Sequence, residues 1–545
     1  MKFVEDSDTD YTLTNIKSDV YLFQQFFIHK DPKRYKEIKY CLKKNVNNQL
    51  IDKIYLLNER KYTNDELGIC SDKIIQIDIG SRLMYSDVIH QIDIIKKDYE
   101  ITPFYCLIAN GDIFFDDSLK ELKIIDLKNY KKVFCQLRYE FEGDMNSVKI
   151  FGPRCDSQDA WIYHSEHNDL LWKHYKAFKF QLGQAGCDNH ITYLFKILGF
   201  GIINNPMLIH CLHFHKTQIR EYKQADAIKP PYLFITPVGC TPYKTDVDFN
   251  DNKKLYNYIK LKIENNEKFI IPRVAGVESN TAYLKSILSA RVDVMKNNAG
   301  IQLTNQKSVE KYSEHYFKAF KNCEMFFGWE KNGEVYRGIA ASQEWTQNQI
   351  CSSNTQMIWA CVLDIFHYIY SIPWTLSLKG KRILIVSAFI DSIEKKIDST
   401  KNNIGLDSNS KYNIRENIYG IDLFPECTFE YIRPPQTQGK NPSLEWDIEM
   451  KMFTDRLDEM RDLYDIALVS CGGYGNLVCN YIFEEHNKSA IYVGGVLQMY
   501  FGISGGRWFN ERASVMRMFL NADWSRPMES ERPSGHNKIE GGCYF

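Results

Sequence analysis

What this chain lacks narrows its class first. Its 15 cysteines include no CxxC pair, and their number is odd. That argues against both a zinc ribbon and a disulfide framework. Scattered single thiols read as reduced, mostly buried groups in a cytoplasm-like compartment. No apolar run approaches the ~20 residues that a membrane helix needs, so no transmembrane segment is expected. The acidic stretch from Met1 to Asp8 has no signal-peptide apolar region. Net charge is nearly missing as well, at a formal −1, so no global field draws nucleic acid or an anionic membrane.

What is present fits a large soluble α/β protein. The 545 residues suffice for two or three domains, and 44% hydrophobic with 25% charged residues is a globular balance. Aromatics make up 14%, enough for sizeable cores and for stacking on sugars or bases. In the first half, apolar runs at 20–29, 54–58, 74–79, 104–109 and 132–138 read as strands, with helices at about 31–45 and 87–99 between them. Such alternation implies a mixed or mainly parallel sheet.

The strand at 104–109 delivers Asn110, Asp112, Asp116 and Asp117 at its end. Open α/β sheets present ligands at that place, and an Asn-x-Asp pair suits a hard divalent cation that also grips a diphosphate. A polar turn after a core strand is the competing reading. Asp156 and Asp159 precede an aromatic strand and can face one pocket, or they are ordinary turn residues. Gly186 to Gly199 reads as a helix capped by Asp188 or Asn189. Residues 209–215 alternate, which puts His213 and His215 on one face.

Taken in order, Phe26–His29, Arg82–Tyr85, Asn110–Asp116, Cys155–Trp161, Gly186–Asn189 and His213–His215 resemble nucleotide-sugar-dependent glycosyltransferases of the GT-A type. These occur in bacterial surface-polysaccharide clusters and in large DNA viruses. The resemblance implies a nucleotide-diphosphate-sugar donor, a glycan acceptor and Mn²⁺ or Mg²⁺. It assigns metal binding to Asp112, Asn110, His213 and His215, and donor contacts to Arg82, Asp87, Asp156 and Asp159. Asp188 becomes the base that deprotonates the acceptor hydroxyl in an inverting transfer. If the source is viral, the site of action is the host cytoplasm. A homo-oligomer is left open.

The second half restarts the alternation after a proline-rich seam. The expected layout is residues 1–228 as the GT-A-like domain, 229–262 as a linker and 263–545 as a Rossmann-like domain. Strands are expected near 269–275, 380–387, 464–470 and 489–495, with a helical zone from 281 to 367. Gly472, Gly473 and Gly475 stand between a strand and a helix, where they can bare N–H groups to a phosphate or simply allow tight packing. The third glycine and the ribose-binding acid of a dinucleotide site are missing. Arg273–Glu278, Lys381–Val386, the glycine loop, Gly494–Gly502, Arg507–Trp508 and Glu540–Tyr544 resemble the GT-D glycosyltransferase type. That resemblance makes Glu278, Gly472, Gly473, Gly475 and Arg507 donor-binding residues. It departs at Gly276, which stands where the metal motif has an Asp. Two alternatives stay open: a glycan-binding or structural protein built from inactive transferase domains, and a C-terminal methyltransferase.

Overall fold

A computed structural model describes residues 18–98, 101–123, 125–219, 226–238, 248–289, 291–329, 339–398 and 414–545. The acidic N-terminal stretch lies outside them. The chain forms two compact units: Met1–Asp246 with Ser514–Met518, and Val247–Ala513 with Phe519–Phe545.

The first unit is built on a seven-stranded sheet. Its strands are β1 (Val20–Gln24), β2 (Lys53–Asn58), β3 (Ile74–Asp78), β4 (Tyr105–Ala109), β6 (Lys132–Gln136), β9 (Ala160–His164) and β10 (Gly201–Ile203), in the order β10-β6-β9-β4-β1-β2-β3. All pair in parallel except β9, which runs antiparallel to both β4 and β6. Strands β1 and β4 are buried along their whole length, which is why they read as unbroken apolar runs. A smaller sheet has the order β5-β11-β7-β8, from Ile113–Phe115, Cys211–His213, Tyr139–Glu140 and Lys149–Ile150. Helix α1 (Pro32–Asn47) starts at Asp31, whose side chain accepts from Lys33 and Arg34 N–H, with proline in the first turn. Helices α2 (Tyr85–Lys96) and α3 (Cys187–Ile197) follow.

The expected linker is structured where it is described. Leu233, Ile235 and Val238 donate backbone bonds to Asn189, Cys155 and Asn204 of the first unit. Helix α4 (Phe249–Glu264) belongs to the second unit. Residues 239–247 lie outside the described residues.

The second unit carries a five-stranded, wholly parallel sheet in the order β12-β18-β17-β15-β16. Its strands are Ile270–Ile271, Ser489–Tyr492, Ile466–Ser470, Arg382–Ser387 and Thr428–Ile432. Helices α5 (Gly276–Leu284), α6 (Gln306–Lys321) and α7 (Gly475–Glu484) pack their apolar sides into its core, including Ala282, Tyr312, Tyr316, Val478 and Ile482. The expected helical zone from 281 to 367 is broken by a parallel pair, β13 (Met325–Gly328) and β14 (Gln356–Trp359). Met325-Phe-Phe-Gly328 is fully buried, and a short buried run has no period that separates strand from helix. Among the described residues no helix is long and apolar enough to cross a membrane.

Candidate functional site

The carboxyl ends of β1, β2 and β4 are stitched together by amide side chains. Gln24 Nε2 donates to Asn110 O at 2.9 Å, and Asn58 Oδ1 accepts from Phe26 N at 2.8 Å. Gln25 donates to Ser81 O and accepts from Leu83 N, both at 3.0 Å. This edge holds Asn110 and Arg82. Arg82 Nη2 donates to Leu182 O at 3.2 Å, and a Cβ at Gly183 would lie 3.2 Å from Asn110 Oδ1 and 3.4 Å from Arg82 Nη2.

Asp112 joins β4 to β5, and strand register decides its neighbours. Ile113 pairs with His213 across β5 and β11, while Glu140 pairs with His213 across β7 and β11. His213 thus lies between two acids: Nε2 is 3.2 Å from Asp112 Oδ2 and Nδ1 is 2.9 Å from Glu140 Oε2. His215 Nδ1 lies 3.7 Å from the same Asp112 oxygen. One donor atom from each of Asp112, His213 and His215 falls within 4.8 Å of the others, a grouping that can hold a metal ion. His215 Nε2 is buried with no hydrogen-bond partner, an orphaned lone pair or N–H of the kind a missing ligand explains. Glu140 behind His213 repeats the carboxylate–histidine arrangement that aims a metal ligand. These donors fit a divalent ion. Asn110 Oδ1 lies beside Gly183, 3.2 Å from where a Cβ there would stand.

Arg34 completes the cluster. Its Nη2 lies 2.5 Å from Asp112 Oδ2 and its Nη1 lies 3.0 Å from Glu37 Oε2. Charge therefore alternates through Glu37, Arg34, Asp112, His213, Glu140, Arg138 and Asp159. Arg138 Nε is 2.7 Å from Glu140, and its Nη1 is 3.0 Å from Asp159. Burial alone would raise the Asp112 carboxyl, but His213 and Arg34 more than offset it and hold it well below the ordinary range. Burial opposes the His213 cation too, yet Asp112 and Glu140 raise it to about 9. Burial, helped by Arg34, lowers His215 to about 4, which leaves it neutral. Glu140 is held at about 2 against burial by His213 and Arg138.

Asp188 is a further carboxyl of this unit with a shifted pKa. Helix α3 begins after Gly186, so Asp188 is its second residue and not its cap. The backbone supplies the reason: Gly186 takes the left-handed φ of +78° at the cap, a conformation open to glycine. Asp188 accepts from Asn189 N at 3.0 Å and from Gln158 N at 3.4 Å. Burial, then the negative charge of Asp159, push its carboxyl up to about 7. The other sequence candidates have local partners. Asp87 accepts from Met84 N at 2.9 Å and closes the first turn of α2. Asp156 pairs with Arg154 at 2.6 Å, and both are about 42% exposed. Asp116 takes His210 at 2.8 Å.

In the second unit the glycine loop is filled by the chain itself. A Cβ on Gly475 would sit 2.3 Å from the Tyr492 ring, and one on Gly473 would sit 2.3 Å from Ile301. Tyr492 OH donates to Gly472 O and Tyr312 OH to Gly473 O, at 2.7 and 3.0 Å. Tight packing accounts for these glycines. Arg507 pairs with Glu540 and lies under the Tyr544 ring at 5.2 Å. Glu278 is half-buried in the first turn of α5; burial, with Glu540 adding, raises it to about 7.

Sequence reasoning missed Arg34, Glu37, Arg138 and Glu140. Arg34 and Glu37 look like the solvated face of a charged helix, and Glu140 stands 73 residues from the histidine it touches. Nothing in the local pattern marks them.

No protein-family model matches this chain, and no curated protein does. Among solved structures it is similar to a 4-diphosphocytidyl-2C-methyl-D-erythritol synthase, at 8% identity over 39% of this chain and 96% of that one, with a TM-score of 0.22. It is also similar to the glycosyltransferase GlyE of Streptococcus pneumoniae TIGR4, in two structures. Both are 11% identical; they cover 87% and 88% of this chain and 90% and 96% of the other, at TM-scores of 0.18 and 0.19. At such scores the likeness carries no argument about this chain.

Proposed function

We propose that the first unit is a metal-dependent glycosyltransferase that moves a sugar from a nucleotide diphosphate to a hydroxyl of a glycan. The observation that carries this reading is the convergence of Asp112, His213 and His215 beside the carboxyl edge of β1 and β4, with Glu140 aiming His213 from behind. Asp112, His213 and His215 hold a divalent cation, Mn²⁺ or Mg²⁺. When bound, that ion neutralises the charge that builds on a leaving diphosphate.

This chain's own residues do the rest. Arg82 and Asn110 share the strand edge and face the donor together. Arg34 sets a fixed cation against Asp112. Asp188 takes the proton of the acceptor hydroxyl on its carboxylate, and a carboxyl near pH 7 suits that work. A single acceptor-side carboxylate goes with inversion at the sugar carbon. Asp87, in the first turn of α2, serves this reading as a neighbour of the donor's nucleotide, and Asp156 as a further donor contact.

The test is a panel of UDP-, GDP- and dTDP-sugars with and without Mn²⁺, read by melting temperature, since a ligand held only by the folded state raises it. A matching donor shifts the wild type with Mn²⁺ and leaves Asp112→Ala unmoved. No shift with any donor, in a protein that binds Mn²⁺, ends the reading. The ion pair between Arg34 and Asp112 favours a second reading, a sugar-binding unit in which Arg34 takes the place of a metal ion beside Asp112. It requires donor binding that ignores the metal and no turnover.

A further inference from the structure

The second unit holds a guanidinium that is built in and then left largely unused. Arg273 follows β12 at the carboxyl edge of the parallel sheet, the edge where open α/β sheets take ligands. Its backbone is clamped from both sides by Asn476, which accepts from Arg273 N at 3.1 Å and donates to Arg273 O at 2.9 Å. The guanidinium stacks on Trp329 at 4.6 Å. Trp329 is pinned in turn, because its Nε1 donates to Val274 O at 2.6 Å. Gly494 clears the space: a Cβ there would lie 1.9 Å from Arg273 Nη1. The fork therefore has a platform, a clamp and a glycine cut to its shape.

Few of its donors are spent. Nη1 donates to Val493 O at 3.3 Å, and Nε is buried with no partner. An arginine carries five N–H donors, so most of this fork is uncommitted within the chain. The acids that sense its charge are Glu278 and Asp364. Burial raises both carboxyls from their ordinary values.

We propose that Arg273 anchors a second ligand site, in the C-terminal unit, that takes a diphosphate-bearing ligand on the free edge of its guanidinium without a metal ion. A planar fork matches two phosphate oxygens at once, and Trp329 fixes the plane from below. Helix α5 starts three residues on, at Gly276, so the positive end of its dipole follows Arg273 closely along the chain. Glu278 lies in its first turn. This inference does not rest on the reading of the first unit.

The experiment titrates the full chain with inorganic pyrophosphate in excess EDTA, with orthophosphate and UDP as separate arms, by calorimetry. Asp112→Ala protein serves as host, which disables the proposed metal site of the first unit. Saturable pyrophosphate binding is expected. Arg273→Gln weakens it about tenfold or more, as loss of charged hydrogen bonds does, and Arg273→Lys falls between. UDP binding with no response to pyrophosphate or orthophosphate moves the recognition to the nucleoside and overturns the proposal. So does equal binding by Arg273→Gln, or binding that returns only with a divalent ion. Should Arg273→Gln misfold, a crystal of the Asp112→Ala protein soaked in pyrophosphate decides. Anion density on the Nε edge of Arg273 supports the site, and density only elsewhere rejects it.

Discussion

His213 Nδ1 lies 2.9 Å from Glu140 Oε2, on the ring edge opposite the one that faces Asp112. Two short strands set this distance by register, since Glu140 and His213 are direct partners across β7 and β11. The pair aims one nitrogen and holds the other.

Glu140→Ala should therefore weaken Mn²⁺ binding without touching a proposed ligand. Loss of such an orienting carboxylate costs about 10–100-fold in metal affinity. Electron paramagnetic resonance of free Mn²⁺ in a titration measures it. Unchanged affinity in a folded variant would make Glu140 only a partner of Arg138.

Arg34 and Asp112 are 7% and 13% exposed at their side chains. Asp112→Ala leaves the arginine with Glu37 and the Phe214 carbonyl. Removing one partner of a buried ion pair costs up to about 3–5 kcal/mol, so urea unfolding should show a clear loss. Arg34→Met added to Asp112→Ala should restore part of it. A single variant as stable as the wild type would place Arg34 in water.

Asp188 makes a pH prediction. Its folded pKa, about 7, lies above the ordinary 3.8, so the fold favours the protonated form. The stability linked to it is full below about pH 4 and is lost as pH rises through 7. Asp188→Asn should match the wild type at pH 4 and exceed it at pH 8, by about a few kcal/mol. Transfer by the wild type should rise through pH 7 as the carboxylate forms, and the variant should bind donor yet not transfer. Equal loss of binding and transfer would reduce Asp188 to a helix-start residue.

Gly475→Ala tests the packing of the glycine loop. The added carbon meets the Tyr492 ring at 2.3 Å, and overpacking of this kind costs about 1–3 kcal/mol. Denaturant unfolding should detect that loss, while donor-induced stabilisation of the first unit stays as it was. A variant of full stability would mean that Tyr492 swings away freely.

The chain's own order of residues determined the α/β class, most strands of the two larger sheets and the shared face of His213 and His215; their grouping with Asp112 was implied by resemblance alone. Apolar runs such as Tyr105–Ala109 are legible because a strand buried on both faces needs no polar partner. Alternation in Cys211–His215 is legible because strand period alone puts the two histidines on one face. Tertiary structure decided everything that depends on which strands lie side by side. It set Glu140 behind His213, Arg34 against Asp112 and Asp159 near Asp188, moved the cap of α3 to Gly186, and turned part of an expected helical zone into a parallel strand pair. The side-chain and strand contacts among these span about 30 to 80 residues of chain, and local pattern carries no information about partners that only register and packing bring together.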